Sequence, residues 1–271
     1  MFECVINLSE GRDASLLVDL SAAGGESLRD LHTDAFHNRS VLTLINEASR
    51  LASDVRALLG AAFTALDLRR HEGVHPRFGV VDVVPFVALD PEEALEAVTL
   101  RDETGAWIAD TFHVPVFLYG PVDGGFRTLP DVRKLAFRTL MPDLGPKSAP
   151  ATLGASAVGA RDLLVAWNLW LRGVTLGEAR AIARAVRRNE VRALAFQVGD
   201  QVQVSCNLVA PLVVGPSVVF DRVTSLLPAR GTVARAELVG LAPKALLEME
   251  DRTRWSQLDL SEERTIEGRI G

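Results

Sequence analysis

The chain has 271 residues, of which 48% are hydrophobic, and its formal net charge is -6. That length suits one large or two modest domains with buried cores, and we expect two. The 29 basic residues are scattered rather than clustered, which argues against a nucleic-acid partner. The first residues lack the pattern of a secretion signal and no apolar run reaches the ~18–20 residues that cross a bilayer, so we expect a cytoplasmic protein without a membrane partner.

The first half of the chain alternates segments typical of strands and of helices. Four apolar runs predict strands: FECVINL (2–8), SVLTLI (40–45), GVVDVVPFVAL (79–89) and HVPVFLYG (113–120). Three segments predict helices, around 13–22, over 46–68 and over 90–112. Pro85 within the third apolar run suggests an edge strand or a bulge.

The second half follows a βαββαβ order. Strands are predicted over 163–171, 191–198, 201–209 and 233–241, and helices over 175–190, near 215–227 and from Pro243. This order is the split βαβ topology of ferredoxin-like domains. We therefore predict an α+β fold, an α/β sandwich of two ferredoxin-like subdomains, each with a mixed sheet and helices on one face. The stretch GPKSAPATLGASAVGAR (145–161) consists mostly of small residues, glycine and proline, so we place the boundary there, between domains 1–160 and 161–271.

Two of the 5 histidines lie in the Gly- and Pro-broken segment RHEGVHPRFGVVDVVPF (70–86). His71 and His75 have the spacing that on a helix would present two imidazoles to a metal ion, but Gly73 and Pro76 argue against a helix. A metal-dependent hydrolase is therefore one interpretation, and an ordinary loop in which His71 ends the preceding helix is another. The charged neighbours of these histidines favour a third, a catalytic loop positioned by rigid elements.

A second polar cluster, DAFHNRS (34–40), enters a strand in the same way. His37, Asn38 and Arg39 supply donors suited to a carboxylate or an amide, and arginine offers a bidentate fork. The alternative is a simple turn, since Asn and Asp favour turns.

Motifs that run in order along nearly the whole chain resemble the glutamate formimidoyltransferase family, whose formiminotransferase domain also occurs in formimidoyltransferase-cyclodeaminases. They are ECVINLSEGRD (3–13), HNRSV (37–41), RHEGVHPRFGVVDVVPF (70–86), VPVFLYG (114–120), RTLP (127–130), PDLGP (142–146), GASAVGARDLLVAWNL (154–169), VQVSCNL (202–208) and AELVGLAPKALL (236–247). Each motif alone is weak, and together they are specific.

The resemblance implies transfer of a formimino group from N-formimino-L-glutamate to tetrahydrofolate, in the context of histidine and one-carbon metabolism. It implies two α/β subdomains with folate in a groove between them, a homodimer, tetrahydrofolate as co-substrate and no metal. A separate cyclodeaminase is a further partner that it suggests.

The resemblance also assigns site residues. The catalytic proton donor of the family is the second histidine of its HxGxHPR motif, here His75, in the N-terminal subdomain. The folate-binding stretch corresponds to Gly145, Pro146, Lys147, Ser148, Ala149, Pro150, Ala151, Thr152, Leu153 and Gly154.

The chemistry suits these groups. The folate N5 must attack an amidine carbon and lose a proton, and the glutamate nitrogen departs only after protonation. Histidine, with an ordinary pKa of ~6.5, is suited to both steps. We expect Asp82 to orient His75 or to stabilise the amidinium, and we assign substrate binding to five residues: His37, Asn38, Arg39, His71 and Arg77.

Two positions depart from the family pattern. Val74 stands where a glutamate usually precedes the second histidine, and Trp170 stands where a second asparagine is usual. Two alternatives follow: an enzyme for a different formimino or formyl donor, and a folate-binding paralogue without turnover.

Overall fold

The computed structural model describes residues 1–73 and 77–270. Close contacts divide the chain into two compact units, Met1–Asp162 and Leu163–Gly271. Each unit has its own sheet and its own hydrophobic core. Among the described residues, no helix combines the length and the apolar composition that crossing a membrane requires.

The N-terminal unit contains every strand and helix that the sequence predicts for this half, with some ends shifted by a few residues. In chain order its elements are β1 (Phe2–Leu8), α1 (Ala14–Ala23), β2 (Leu28–Asp34), β3 (Arg39–Asn46), α2 (Ala48–Ala65), β4 (Val81–Ala88), α3 (Ala94–Phe112), β5 (Val116–Val122), β6 (Gly125–Arg127), α4 (Leu129–Leu135) and β7 (Ser156–Ala160). The sequence does not predict strands β2, β6 and β7 or helix α4. β2 is a polar edge strand, so it shows no apolar alternation.

The sheet of this unit is mixed, as predicted, and has the order β2-β3-β1-β4-β7-β5-β6. The first four strands in that order form, with α1 and α2, a ferredoxin-like βαββαβ arrangement, in which β1 pairs antiparallel with both β3 and β4. β7 and β5 extend the sheet by parallel pairing, and β6 forms a hairpin with β5. The ferredoxin-like core is therefore enlarged on the β4 side.

The main core of the N-terminal unit lies between one face of the sheet and helices α1 to α3. Phe2, Cys4 and other alternate residues of β1 are buried there with the apolar stripe of α2. On the opposite face, Val132 of α4 packs with Phe117 and Tyr119. Helices therefore cover parts of both faces of this sheet, whereas the sequence predicts helices on one face.

Residues 156–160, which the sequence assigns to the boundary region, form strand β7. The strand is buried along its whole length between β4 and β5. Its small residues serve packing, because the ring of Tyr119 occupies the space that a side chain at Gly159 would need. A strand of small residues gives no hydrophobic pattern, which is why it was interpreted as part of a boundary.

The edge position predicted from Pro85 is wrong, because β4 lies inside the sheet between β1 and β7. The ladder with β1 is interrupted around the proline: Cys4 pairs with Phe86 and Asn7 with Val83, without paired residues between them in the described chain. Pro85, which has no N–H to donate, falls in that interruption.

The C-terminal unit contains β8 (Val165–Arg172), α5 (Leu176–Val186), β9 (Val191–Val198), β10 (Gln201–Leu208), α6 (Pro216–Ser225), β11 (Thr232–Val239), α7 (Lys244–Met249), α8 (Trp255–Leu258) and α9 (Ile266–Ile270). Its sheet order, β11-β8-β10-β9, confirms the ferredoxin-like arrangement. All three pairings are antiparallel, so the mixed sheet predicted for this unit is wrong. The reason is topological: β8 and β9 run the same way, but antiparallel β10 lies between them.

Glu3 is a buried carboxylate of the N-terminal sheet. Glu3 alternates with Phe2 and Cys4 along β1 and so points away from the main core. Its residue is 2% exposed. Burial raises the pKa of Glu3 to about 7, and the positive charge of Arg161 offsets only part of this effect.

This raised pKa predicts a pH-dependent stability. The folded state binds the Glu3 proton more tightly than the unfolded state, so the stabilisation is present at low pH and is lost as the pH rises through about 7. Between pH 5 and pH 8 we expect wild type to lose roughly 2–3 kcal/mol relative to Glu3→Gln. Urea unfolding, monitored by hydrogen exchange of the β1 amides, measures this difference. Glu96→Gln, at an exposed position, is the control. An equal pH response in wild type and Glu3→Gln would contradict the prediction.

Candidate functional site

Three loops of the N-terminal unit meet at one end of its sheet. They follow β1 (residues 9–13), connect β2 to β3 (residues 35–38) and precede β4 (the described residues of 71–80). They meet because antiparallel pairing places Leu8, at the end of β1, beside Ser40 of β3 and Val81 of β4. The two polar clusters of the sequence therefore lie side by side.

Asn38 connects these loops. Its backbone has φ 48°, a left-handed conformation that asparagine tolerates better than most residues. Its side-chain oxygen accepts from the Gly11 N–H at 2.9 Å, and its amide nitrogen donates to the Glu72 carbonyl at 3.0 Å. A side chain at Gly11 would collide with backbone atoms of the β2–β3 turn. Close packing and the Asn38 amide therefore hold the loops together.

His71 is bound on both sides of its ring. Nδ1 lies 3.0 Å from the Ser9 carbonyl, and Nε2 accepts from Arg77 Nε at 2.6 Å. Because arginine only donates, Nε2 must be unprotonated, and the ring is neutral with its proton on Nδ1. Burial, followed by the charge of Arg77, lowers the pKa of His71, which is consistent with this state.

Arg77 supplies donors to the turn between β2 and β3. Its Nη2 donates to the carbonyl oxygens of His37 and, at 2.8 Å, of Asn38. Burial lowers the pKa of Arg77 to about 10, so the group stays charged at neutral pH. Nη1 is buried, and among the described residues it has no hydrogen-bond partner.

Gly73 fits between these groups. A side chain there would collide with the His37 carbonyl, and its Cβ would lie 2.6 Å from Arg77 Nη2 and 2.9 Å from His71 Nε2. The residue must be glycine for this packing. The predicted catalytic residue, His75, lies outside the described residues together with Val74 and Pro76.

His37 and Arg39 flank Asn38 in the same turn. His37 is buried, its backbone N–H donates to Asp34 Oδ1 at 2.8 Å, and its Nε2 lies 3.8 Å from Asp34 Oδ2. Arg39 is the first residue of β3 and is partly exposed. Both residues lie in the loop cluster, and their predicted binding of substrate stays a prediction.

Asp82 lies in an irregularity of β4. Asn7 pairs with Val83 and Leu8 with Val81, which leaves Asp82 as the extra residue of a bulge. It is 1% exposed, its Oδ1 accepts from the Phe78 N–H at 2.9 Å, and its Oδ2 accepts from Arg133 of α4 at 2.6 Å. Asp82 thus fixes the chain just after the histidine loop, while its predicted action on His75 stays a prediction.

The predicted folate-binding stretch adjoins this loop. The Val80 N–H donates to the Leu153 carbonyl at 2.9 Å, and the Ala155 N–H donates to the Phe78 carbonyl at 2.9 Å. Gly154 has φ +73°, and its missing side chain permits close contact with Gly79. Within this stretch, Gly145, Lys147 to Ala149 and Ala151 are exposed. Its last residues are therefore joined by backbone hydrogen bonds to the segment that follows His75.

Similarity to known proteins identifies the family of this chain. A family model described as the formiminotransferase domain, N-terminal subdomain, matches residues 1–161. The chain belongs to the formiminotransferase family. The resemblance of its motifs to this family is confirmed. The predicted enzyme class is confirmed as well, because its relatives are named as transferases of formimino groups.

Relatives with this activity in their names align with both units of this formiminotransferase-family chain. Glutamate formimidoyltransferase of Thermoplasma acidophilum is 33% identical over 77% of this chain and 76% of its own length. The Streptococcus pyogenes enzyme of that name is 30% identical over 92% of this chain and 91% of its own length. Formimidoyltransferase-cyclodeaminase of Dictyostelium discoideum is 32% identical over 93% of this chain and 52% of its own length.

The departure at Trp170 lies on the polar face of the C-terminal sheet. The indole Nε1 donates to Glu237 Oε2 at 2.9 Å, and Arg235 lies over the ring, 4.3 Å from its centroid. Asn168 donates to the same carboxylate oxygen at 3.1 Å. Trp170 therefore belongs to a polar network around Glu237, in a position where the family pattern has asparagine.

Metal binding by His71 would require breaking an existing contact, because both ring nitrogens have protein partners. Among residues 1–73 and 77–270, no group of three or more His, Cys, Asp or Glu side chains is arranged to hold a metal ion.

The sequence missed Arg133 as a partner of Asp82, since it missed α4.

The close backbone contact at Gly154 predicts a steric effect that can be separated from backbone strain. In Gly154→Ala the Cβ would lie 2.5 Å from the Phe78 oxygen and 2.6 Å from Gly79 Cα, whereas in Gly124→Ala, also at positive φ, it would meet nothing within 4 Å. We expect Gly124→Ala to cost about 1 kcal/mol and Gly154→Ala at least ~2 kcal/mol more. Urea unfolding of both variants checks this, and equal costs would contradict the contact.

The ion pair of Asp82 predicts a coupling between β4 and α4. Asp82→Asn keeps an acceptor for the Phe78 N–H but leaves Arg133, whose side chain is 28% exposed, without its partner. We expect a loss of about 1–3 kcal/mol in unfolding free energy. Arg133→Gln should lower the unfolding free energy less in the Asp82→Asn variant than in wild type, and a double-mutant cycle measures this difference. Strict additivity would show that the two groups do not interact.

Proposed function

We propose that this chain transfers a formimino group from N-formimino-L-glutamate to tetrahydrofolate, with His75 moving the proton. The observation that supports this most is the backbone pairing of Leu153–Gly154 with Phe78–Val80. It joins the end of the proposed folate segment to the chain that follows His75, as an enzyme needs if one histidine is to act on a folate nitrogen.

In the proposed reaction, N5 of tetrahydrofolate attacks the formimino carbon. A new C–N bond forms, and the proton of N5 passes to His75. The imidazolium then gives its proton to the glutamate nitrogen, whose bond to the carbon breaks. The products are 5-formiminotetrahydrofolate and glutamate, and His75 regains its starting state.

The described contacts refine the roles of the five proposed substrate-binding residues. Asn38 and His71 use their polar atoms on the protein itself, so we assign them to supporting the loops. Arg77 has only Nη1 without a partner among the described residues, so it would donate through one nitrogen rather than as a fork. We assign the substrate carboxylates to Arg77 Nη1, Arg39 and His37.

The proposed folate segment suits a flat ligand. It is built mainly of Gly, Pro, Ala and Ser, with Lys147, Thr152 and Leu153, and half of its residues are exposed. Small side chains permit a ring system to approach backbone donors and acceptors closely. We propose that Gly145–Gly154 contacts the folate. We also propose that Asp82 acts by accepting from the Phe78 N–H, which fixes the chain just after the segment that carries His75.

A second candidate is a folate-binding paralogue without turnover, or with a different formimino or formyl donor. Val74 and Trp170 favour it, because the family pattern has a carboxylate and an amide at these positions. The Trp170 indole donates to Glu237 Oε2, to which Asn168 and Gln203 also donate, so it places a large ring where the family pattern has a second amide.

Partners are proposed on the same basis. In relatives such as the Dictyostelium discoideum protein, the name joins a cyclodeaminase to the transferase, and this chain spans 52% of that protein. We propose that the 5-formiminotetrahydrofolate formed here is a substrate for a cyclodeaminase, and that the chain forms a homodimer.

The test is turnover with purified protein. Formiminoglutamate and tetrahydrofolate are mixed, the product is cyclised in acid, and methenyltetrahydrofolate is measured by absorbance. We expect product from wild type and a loss of about 10²–10⁴-fold in kcat for His75→Ala, since the proton transfer is removed. His113→Asn, at an exposed left-handed position that asparagine tolerates, is the matched control.

Two results would contradict the proposal. Absence of product with saturable folate binding would establish the second candidate instead. Wild-type turnover in His75→Ala would remove His75 from the mechanism.

A further inference from the structure

The side chains of His71 and Arg77 contact each other at the two ends of the segment that carries His75, and we call this contact the neck of the segment. His71 precedes it and Arg77 follows it, and the two are joined by the 2.6 Å hydrogen bond from Arg77 Nε to His71 Nε2. Gly73 packs against this contact, since a Cβ there would lie 2.6 Å from Arg77 Nη2 and 2.9 Å from His71 Nε2. The neck is therefore held by side-chain chemistry rather than by a β-ladder.

Both sides of the neck are fixed to the sheet. On the His71 side, Nδ1 bonds the Ser9 carbonyl, and Ser9 itself donates from Oγ to the Gly79 carbonyl at 2.7 Å and from its N–H to the Val80 carbonyl at 2.9 Å. Ser9 follows β1, and Val80 directly precedes β4. The imidazole thus links the histidine segment to the two central strands at the site.

Arg77 fixes the other side. Its Nη2 holds the carbonyls of His37 and Asn38 in the β2–β3 turn while its Nε reaches His71. One guanidinium therefore ties the segment to the turn and to the imidazole at once. A planar group with donors in fixed directions can do this, and a lysine ammonium on a flexible stem cannot do it with the same geometry.

We propose that His71 is a positioning residue for formimino transfer: as a neutral imidazole it closes the neck of the His75 segment by accepting from Arg77 while donating to Ser9. The proposal rests on the proposed function, since it assigns a role relative to His75. It differs from a substrate contact, because neither ring nitrogen is available to a ligand.

Only a neutral imidazole combines a donor and an acceptor at opposite corners of one rigid ring. Carboxamide variants of different length should each keep one of the two hydrogen bonds, which gives the test. In His71→Asn the amide nitrogen can still donate to the Ser9 carbonyl, but the side chain is too short to accept from Arg77. In His71→Gln the longer amide can accept from Arg77 Nε.

The kinetic expectation separates positioning from binding. His71→Asn should lower kcat about 10²-fold, because a small misplacement of a reacting group costs this much. Its Kd for tetrahydrofolate, measured by calorimetry, should stay within about 2-fold of wild type, since Gly145–Gly154 is unchanged. His71→Gln should recover at least ~10-fold of the lost kcat. His113→Asn again serves as the control.

Arg77→Lys tests the partner independently. It removes the Nε donor and keeps the charge, so we expect a similar fall in kcat. The double variant His71→Asn/Arg77→Lys should be little worse than Arg77→Lys alone, because Arg77→Lys already breaks the contact with His71 together with the other contacts of the guanidinium.

The outcomes are distinct. Wild-type kcat in His71→Asn, or equal losses in kcat and folate affinity without recovery by His71→Gln, would overturn the positioning role while His75→Ala still decides the proposed function. Wild-type protein that forms no product would overturn both. Loss of kcat alone with recovery by His71→Gln supports the proposal.

Discussion

The loop cluster is joined by one half-buried guanidinium, that of Arg77, together with the Asn38 amide. The turn between β2 and β3 directs the carbonyls of His37 and Asn38 toward the segment before β4, and buried carbonyls without donors are costly. Arg77 satisfies both and also bonds His71, at the expense of desolvating its own charge. The pKa of Arg77, lowered to about 10, reflects that desolvation, which nearby Asp82 counteracts. Arg77 therefore joins two loops directly and reaches the loop after β1 through His71, which bonds the Ser9 carbonyl.

Much of the fold follows from local patterns. Strand β1 coincides with the apolar run 2–8, and β9 coincides with the predicted segment 191–198. Strand β7 was missed because its residues are small for a tertiary reason, the position of the Tyr119 ring over Gly159. Short helix α4 was missed as well, although Thr128 and Asp131 form a capping box that signals its start. Local signals fail where packing by distant residues determines composition.

The site shows the same division. Sequence motifs identified both polar loops, because the residues of each loop are contiguous. They could not identify partners such as Arg133 for Asp82, since that pair depends on a bulge in β4 and on an unpredicted helix. They also could not show that His71 and Asn38 are bonded within the protein. Residue type suggests ligand binding for both, which stays a prediction, and the contacts add that both side chains join loops of the site.

The frame of the site is built mainly from backbone. Gly79 and Gly154 bring two chains together without side chains, and backbone hydrogen bonds from Val80 and Ala155 hold them there. Such a frame is insensitive to which side chains project from neighbouring positions. It follows that side chains outside these backbone contacts can change without removing the hydrogen bonds that form the frame. The frame therefore fixes Leu153 and Gly154, at the end of the proposed folate segment, beside Phe78–Val80, and in the proposed reaction the choice of donor would fall to side chains outside the frame.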